Sequence, residues 1–138
     1  MTRPTPSPPD GRGGAGAAHE WLGVETLSAG RGEAVLRLPT RPEMGNRADV
    51  VHGGFISLLA DSAMGRAMST VLPDGERHYS FDLKMSFISP GRIGEPLLAV
   101  ARVLHSGRRT GVAECRVEAP RQRLVATATA TFILYLPE

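Results

Sequence analysis

The spacing of apolar positions changes period twice along the chain. Over residues 33–38, Ala34, Leu36 and Leu38 alternate with Val35 and Arg37, which predicts a first strand ended by Pro39 and Pro42. Residues 55–72 contain no proline. At about 100° per residue, their apolar positions Ile56, Leu59, Ala63, Met64, Ala67, Met68 and their neighbours cover nearly the whole circumference. That distribution predicts one long helix enclosed by other structure. Gly53 and Gly54 open it, and Pro73, Asp74 and Gly75 stop it. The period of two then returns, with Tyr79, Phe81, Leu83, Met85 and Phe87 on one face and Ser80, Asp82, Lys84 and Ser86 on the other, closed by Pro90 and Gly91. Runs over 97–104, 110–117 and 124–134 follow, separated by Ser106-Gly107 and by Pro120. A short helical segment is expected around Trp21, Leu22, Val24 and Leu27. The order of strand, helix and four strands predicts an α+β domain in which one antiparallel sheet wraps around one long central helix, since that helix alone can cover the sheet's apolar face.

Composition narrows the class. A chain of 138 residues suits one domain with a genuine core. Residues 1–17, mostly Pro, Gly, Ser, Thr and Ala, bury too little apolar area to offset the entropy of ordering and are expected to form a disordered leader before a domain at 18–138. No run approaches the ~18 apolar residues of a membrane span, so no membrane role is expected. The net charge of +2 is scattered among acidic residues, without a basic aromatic stripe, and nucleic acid is not expected as a partner. Cys115 is the single cysteine, which permits no internal disulfide and no thiolate pair for a metal. With no positive head and apolar core at the N-terminus, a cytoplasmic location is expected.

The chemistry concentrates between Asn46 and Asp61. Asp61 is the only full charge between His52 and Arg66. A carboxylate on an otherwise apolar helix is costly unless it is paired, for example with Arg66, or lines a cavity, where it can serve as base or nucleophile. Gly53 and Gly54 offer unobstructed amides at the helix start, where the dipole favours an oxyanion; the alternative is a tight turn. His52 can be a packed histidine and Asn46 a turn residue. Gly53 and Asp61 lie eight positions apart, or ~12 Å along a helix, too far to serve one carbonyl. If both are catalytic, the site is shared across a two-fold axis and the protein is a homodimer.

Asn46, His52-Gly53-Gly54 and Asp61, with Ser80-Phe81-Asp82-Leu83, Ser89-Pro90, Ser106-Gly107-Arg108-Arg109 and the closing Val125-Ala126, Ala128 and Phe132, resemble the phenylacetate-pathway (PaaI-like) hotdog acyl-CoA thioesterases over about 21–134. The resemblance implies a hotdog fold and hydrolysis of an aryl or short to medium acyl-CoA, by a homodimer that pairs into a homotetramer. It puts Asp61 in the place of the acid that activates water or attacks the thioester. Gly53 supplies the amide that polarises the carbonyl, with Gly54 beside it. His52 and Asn46 line the same pocket, and Ser80 lies near the attacking water. Arg108, Arg109 and Thr110 become candidates for the phosphates of coenzyme A, and Pro90 and Gly91 for its pantetheine. Arg108 and Arg109 can equally be a solvated hairpin. Coenzyme A enters as part of the substrate, and no metal or other cofactor is implied. Asp49 departs from the pattern, standing where the family commonly has glycine, which leaves the acyl preference open. The competing readings are a non-catalytic acyl-CoA sensor and an acyl thioester dehydratase or hydratase. The latter needs a histidine and a carboxylate acting on adjacent carbons, and His52 stands at the far end of the helix from Asp61.

Overall fold

Two strands precede the central helix, where one was expected. The computed structural model describes residues 16–74 and 77–135; most of the expected leader, and Gly75 of the stop signal, lie outside them. Helix α1 (Ala17–Leu22) ends where Gly23 turns left-handed at φ 79° and its amide closes on the carbonyls of His19 and Glu20. The segment expected to continue as helix through Leu27 is instead an edge strand, β1 (Glu25–Gly30), bulged at Leu27 and exposed throughout. Its residues show no alternation because neither face is buried, and so the sequence carried no strand signal there.

The sheet is six-stranded and antiparallel, in the order β1-β2-β4-β5-β6-β3, with β2 at Glu33–Leu38, β3 at Arg77–Phe87, β4 at Leu97–Ser106, β5 at Thr110–Ala119 and β6 at Arg123–Tyr135. It wraps around α2 (Gly53–Ser69), the sheet-around-helix arrangement that the pattern predicted. Small side chains allow the close wrap: Ala99, Ala101, Ala113, Ala126, Ala128 and Ala130 are all buried. Contact is closest at Gly111, where an added Cβ would stand 2.5 Å from Met68 Cε. Helix α2 is three residues shorter at its C-terminus than expected, because the amides of Thr70 and Val71 reach only the carbonyls three residues back. It is also enclosed on one side only. Ile56, Leu59, Ala60, Ala63, Met64, Ala67 and Met68 are buried, whereas Asp61, Ser62, Gly65, Arg66 and Ser69 are half-exposed.

The strict alternation expected of β3 breaks at one residue. Ser80 pairs with Phe132 and Asp82 with Thr131, so Phe81 is an extra residue in a bulge. The phase on the two sides of it differs. Leu83, Met85 and Phe87 stand opposite the inward Ala130, Ala128 and Ala126, while before the bulge His78 and Ser80 stand opposite the inward Leu134 and Phe132. Tyr79, expected on the apolar face, points the other way and meets the Tyr135 ring edge-on. Among the described residues, no helix is long and apolar enough to cross a membrane.

Candidate active site

The N-terminal end of α2 is assembled by its preceding loop. Asn46 Oδ1 accepts from the amides of Ala48 at 2.8 Å and Val50 at 3.4 Å, and the Asn46 amide donates to the Val50 carbonyl. Its side chain therefore shapes the loop that delivers His52. Asp49 takes φ 59° within this turn, a left-handed conformation natural to glycine and tolerated by Asp, which accounts for the departure seen there. His52 caps the helix, its Nδ1 accepting from the Gly54 amide at 2.8 Å. The Gly54 donor is thus already used. The Gly53 amide donates to nothing among the described residues and stays open at the positive end of the helix. The Phe87 ring lies over Gly53, where an added Cβ would come within 3.1 Å of its Cζ.

Asp61 lies two turns further along, on the half-exposed stripe. It opens onto a cavity of about 400 Å³ whose wall includes His19 from α1, Ser62, Gly65, Arg66 and Ser69 from α2, His78 and Ser80 from β3, and Phe132 from β6. Ser80 is there because the Phe81 bulge turns it inward. His19 Nε2 and Ser62 Oγ are 2.6 Å apart, and His78 Nε2 and Ser69 Oγ 2.9 Å. Burial lowers the pKa of both imidazoles below the ordinary histidine value, and the Asp61 charge pulls the other way more weakly. Neither histidine stood out in the sequence. They are 59 residues apart (78 − 19), and only the register of β3 and the docking of α1 bring them to one carboxylate.

The remaining predicted residues divide between the two ends. Pro90 and Gly91 belong with Gly53: the Gly91 carbonyl accepts from the Val51 amide, a Cβ added at Gly91 would stand 3.3 Å from Val51 and 3.4 Å from Leu97, and Arg123 Nη1 donates to the Pro90 carbonyl at 2.8 Å. Gly91 is buried; Pro90 is exposed. Arg108, Arg109 and Thr110 form the exposed β4–β5 turn. That turn joins the Asp61 end of the sheet, since the Arg109 carbonyl accepts from Leu134, the residue opposite His78. Within one chain the structure brings Asp61 and Ser80 together, and separately Asn46, His52, Gly53, Gly54, Pro90 and Gly91, but not the two groups. Among the described residues no cluster of three or more His, Cys, Asp or Glu could hold a metal ion.

Comparison with known proteins bears on this geometry. The sequence model of a family described as the thioesterase superfamily matches residues 48–126. Over 105 residues the chain is 31% identical to the acyl-coenzyme A thioesterase PaaI of Escherichia coli K12, covering 76% of this chain and 73% of PaaI. It is 30% identical over 128 residues to the medium/long-chain acyl-CoA thioesterase YigI of the same strain, covering 82% of each. Among solved structures, the conserved protein PA5202 from Pseudomonas aeruginosa matches with a TM-score of 0.83 at 35% identity, over 88% of this chain and 95% of that one.

Proposed function

The chain belongs to the thioesterase superfamily, a thioester hydrolase on a hotdog fold, and from that premise we propose that it hydrolyses an acyl-CoA at a site completed by two subunits. The carbonyl oxygen rests on the open Gly53 amide of one subunit, and Asp61 of the other acts as base toward water or as nucleophile through a transient anhydride. On the water route, Asp61 takes a proton as the hydroxyl adds to the carbonyl carbon. The C–S bond then breaks and that proton goes to the departing thiolate. Ser80, on the Asp61 side, holds the water. Arg108, Arg109 and Thr110 meet the phosphates of coenzyme A, and the exposed Pro90 borders the pantetheine.

The observation that carries this reading is the free edge of β3. Phe81 and Phe87 on β3, and Ile88 just after it, are 65%, 55% and 58% exposed, and among the described residues β3 pairs with β6 alone, an arrangement that invites pairing with a second copy. If β3 pairs antiparallel with itself about a two-fold axis near Leu83 and Lys84, Phe87 of one subunit falls opposite Ser80 of the other. Phe87 covers Gly53, and Ser80 shares the cavity of Asp61. That pairing therefore delivers the donor of one chain to the carboxylate of the next, resolving the separation along α2.

The test is release of free thiol from a panel of aryl, short and long acyl-CoAs by the wild type, Asp61→Asn and Asp61→Ala. Turnover of at least one substrate, lost in both variants, is expected. Full activity in Asp61→Asn would contradict the assignment.

A further inference from the structure

The cavity beside Asp61 holds two imidazoles that the hydrolytic steps do not use. Each is fixed by a serine of the helix that carries Asp61: His19 by Ser62, its immediate neighbour, and His78 by Ser69. Ser69 Oγ lies 3.1 Å from the Gly65 carbonyl and 2.9 Å from His78 Nε2, so the serine ties the ring to the backbone of α2. The Phe132 ring supports His78 edge-on, with centroids 5.3 Å apart. Helix α1 is held by the buried Leu22 and by Arg41 Nη1, which donates to the Leu22 carbonyl at 3.1 Å. Both rings therefore sit on anchored elements, inside the electrostatic field of the carboxylate.

We propose that His19 and His78 are positioning residues for Asp61: uncharged, they leave its carboxylate at full strength as a base, and protonated, they add cations to the cavity that it shares and weaken it. This rests on Asp61 being the reacting carboxylate and adds how that site is regulated. The other charged or titratable groups around the cavity are Arg66 on α2 and Tyr79 on β3; β6 contributes the uncharged Phe132. An arginine is cationic and a tyrosine neutral throughout the acid and neutral range. A change of charge near Asp61 between neutral and mildly acid pH therefore comes from the two imidazoles. Burial keeps both of them neutral at neutral pH. Acidification adds cations within the cavity, and a carboxylate held by a cation is a weaker base.

Two measurements on the full chain test this. The first is the NMR titration of the histidine rings in the wild type and in Asp61→Asn. Both rings should titrate below the ordinary value in the wild type and lower again in the variant, which has lost the anion that favours their charged form. Identical titrations in the two proteins overturn the coupling. The second is the pH profile of kcat/KM for the wild type and for His19→Gln/His78→Gln, each scaled to its own plateau. Glutamine keeps a donor and an acceptor for serine but cannot take a charge. The acid limb of the double variant should lie about one pH unit lower or more. Superimposable limbs overturn the proposal, since a merely structural role would change the plateau and leave the limb in place. Wild type that turns over no thioester defeats the proposed reaction, and the ring titrations then decide the coupling separately.

Discussion

Replacing Gly53 by proline removes one N–H from the open end of α2 and closes that position with a ring carbon. Gly53 is the first helical residue, where proline's fixed φ suits the helix and its missing donor breaks no intrahelical bond. The preceding His52, at φ −59° and ψ 134°, already has the extended backbone that a following proline demands. The new Cβ would stand 3.1 Å and 3.2 Å from the Phe87 ring, which is 55% exposed and has room to shift. Gly53→Ala introduces the same Cβ and keeps the N–H, so the difference between the two variants reports the loss of the donor together with the ring carbon that takes its place. Loss of one oxyanion donor costs about 10²–10³ in kcat, or roughly 3–4 kcal/mol. We therefore expect Gly53→Pro to fall about 100-fold or more below Gly53→Ala in kcat, with KM nearly unchanged and both melting close to wild type. Steady-state thiol release gives the constants and a thermal melt by circular dichroism checks the fold. Equal kcat in the two variants would refute the role of the Gly53 amide, however low both values were.

Three further outcomes follow from the same geometry. Unfolding and refolding equal amounts of Asp61→Asn and Gly53→Pro together should restore about one quarter of wild-type activity, since half the dimers are mixed and each mixed dimer has one intact site of two; no recovery would mean that each chain holds its own site. Stability to urea should be greatest above about pH 6.5 and fall as pH drops through that value, because the unfolded chain binds protons on His19 and His78 before the folded one does. A midpoint that is flat or rising from pH 7 to pH 5.5 would contradict the burial of those rings. Cys115, buried on β5 with its thiol pushed up to about 12, should react with a thiol reagent in the native protein far more slowly than in urea, and equal rates would show that β5 opens.

The fold was legible in the sequence wherever burial imposed a period. Helix α2 stood out as a long proline-free apolar segment, β2 by its alternation, and β4, β5 and β6 as apolar runs bounded by Gly or Pro. Strand β1 buries nothing, so no repeat distinguishes it from the end of α1, and only the left-handed Gly23 separates the two. Strand β3 misled for the opposite reason. Its alternation from Tyr79 to Phe87 is unbroken in the sequence, yet it spans a bulge, so the apolar letters before and after Phe81 do not share a face. The stripe of α2 that carries Asp61 was there to be read, since Ser62, Gly65, Arg66 and Ser69 share its half-exposed side, but the many apolar residues around the rest of the circumference hid it.

The same contrast separates what was legible in the site from what was not. That Gly53 and Asp61 cannot meet within one chain follows from their spacing alone, because a helix is a rigid ruler and the structure keeps both residues on it. What spacing could not supply was the edge on which two chains are proposed to meet or the groups around the carboxylate. Both depend on the Phe81 bulge. One extra residue turns Ser80 and His78 inward toward Asp61, and the stretch from Leu83 to Phe87 then carries the apolar edge on to the ring that covers Gly53. Had β3 kept strict alternation, Tyr79 and Phe81 would face Asp61, and β3 would set aromatic rings against the carboxylate in place of Ser80 and His78. An apolar wall of that kind favours the protonated acid, which neither activates water nor attacks a thioester. The bulge is therefore the local irregularity on which the chemistry of the site depends, and deleting Phe81 should abolish turnover even where the shortened strand still pairs with β6.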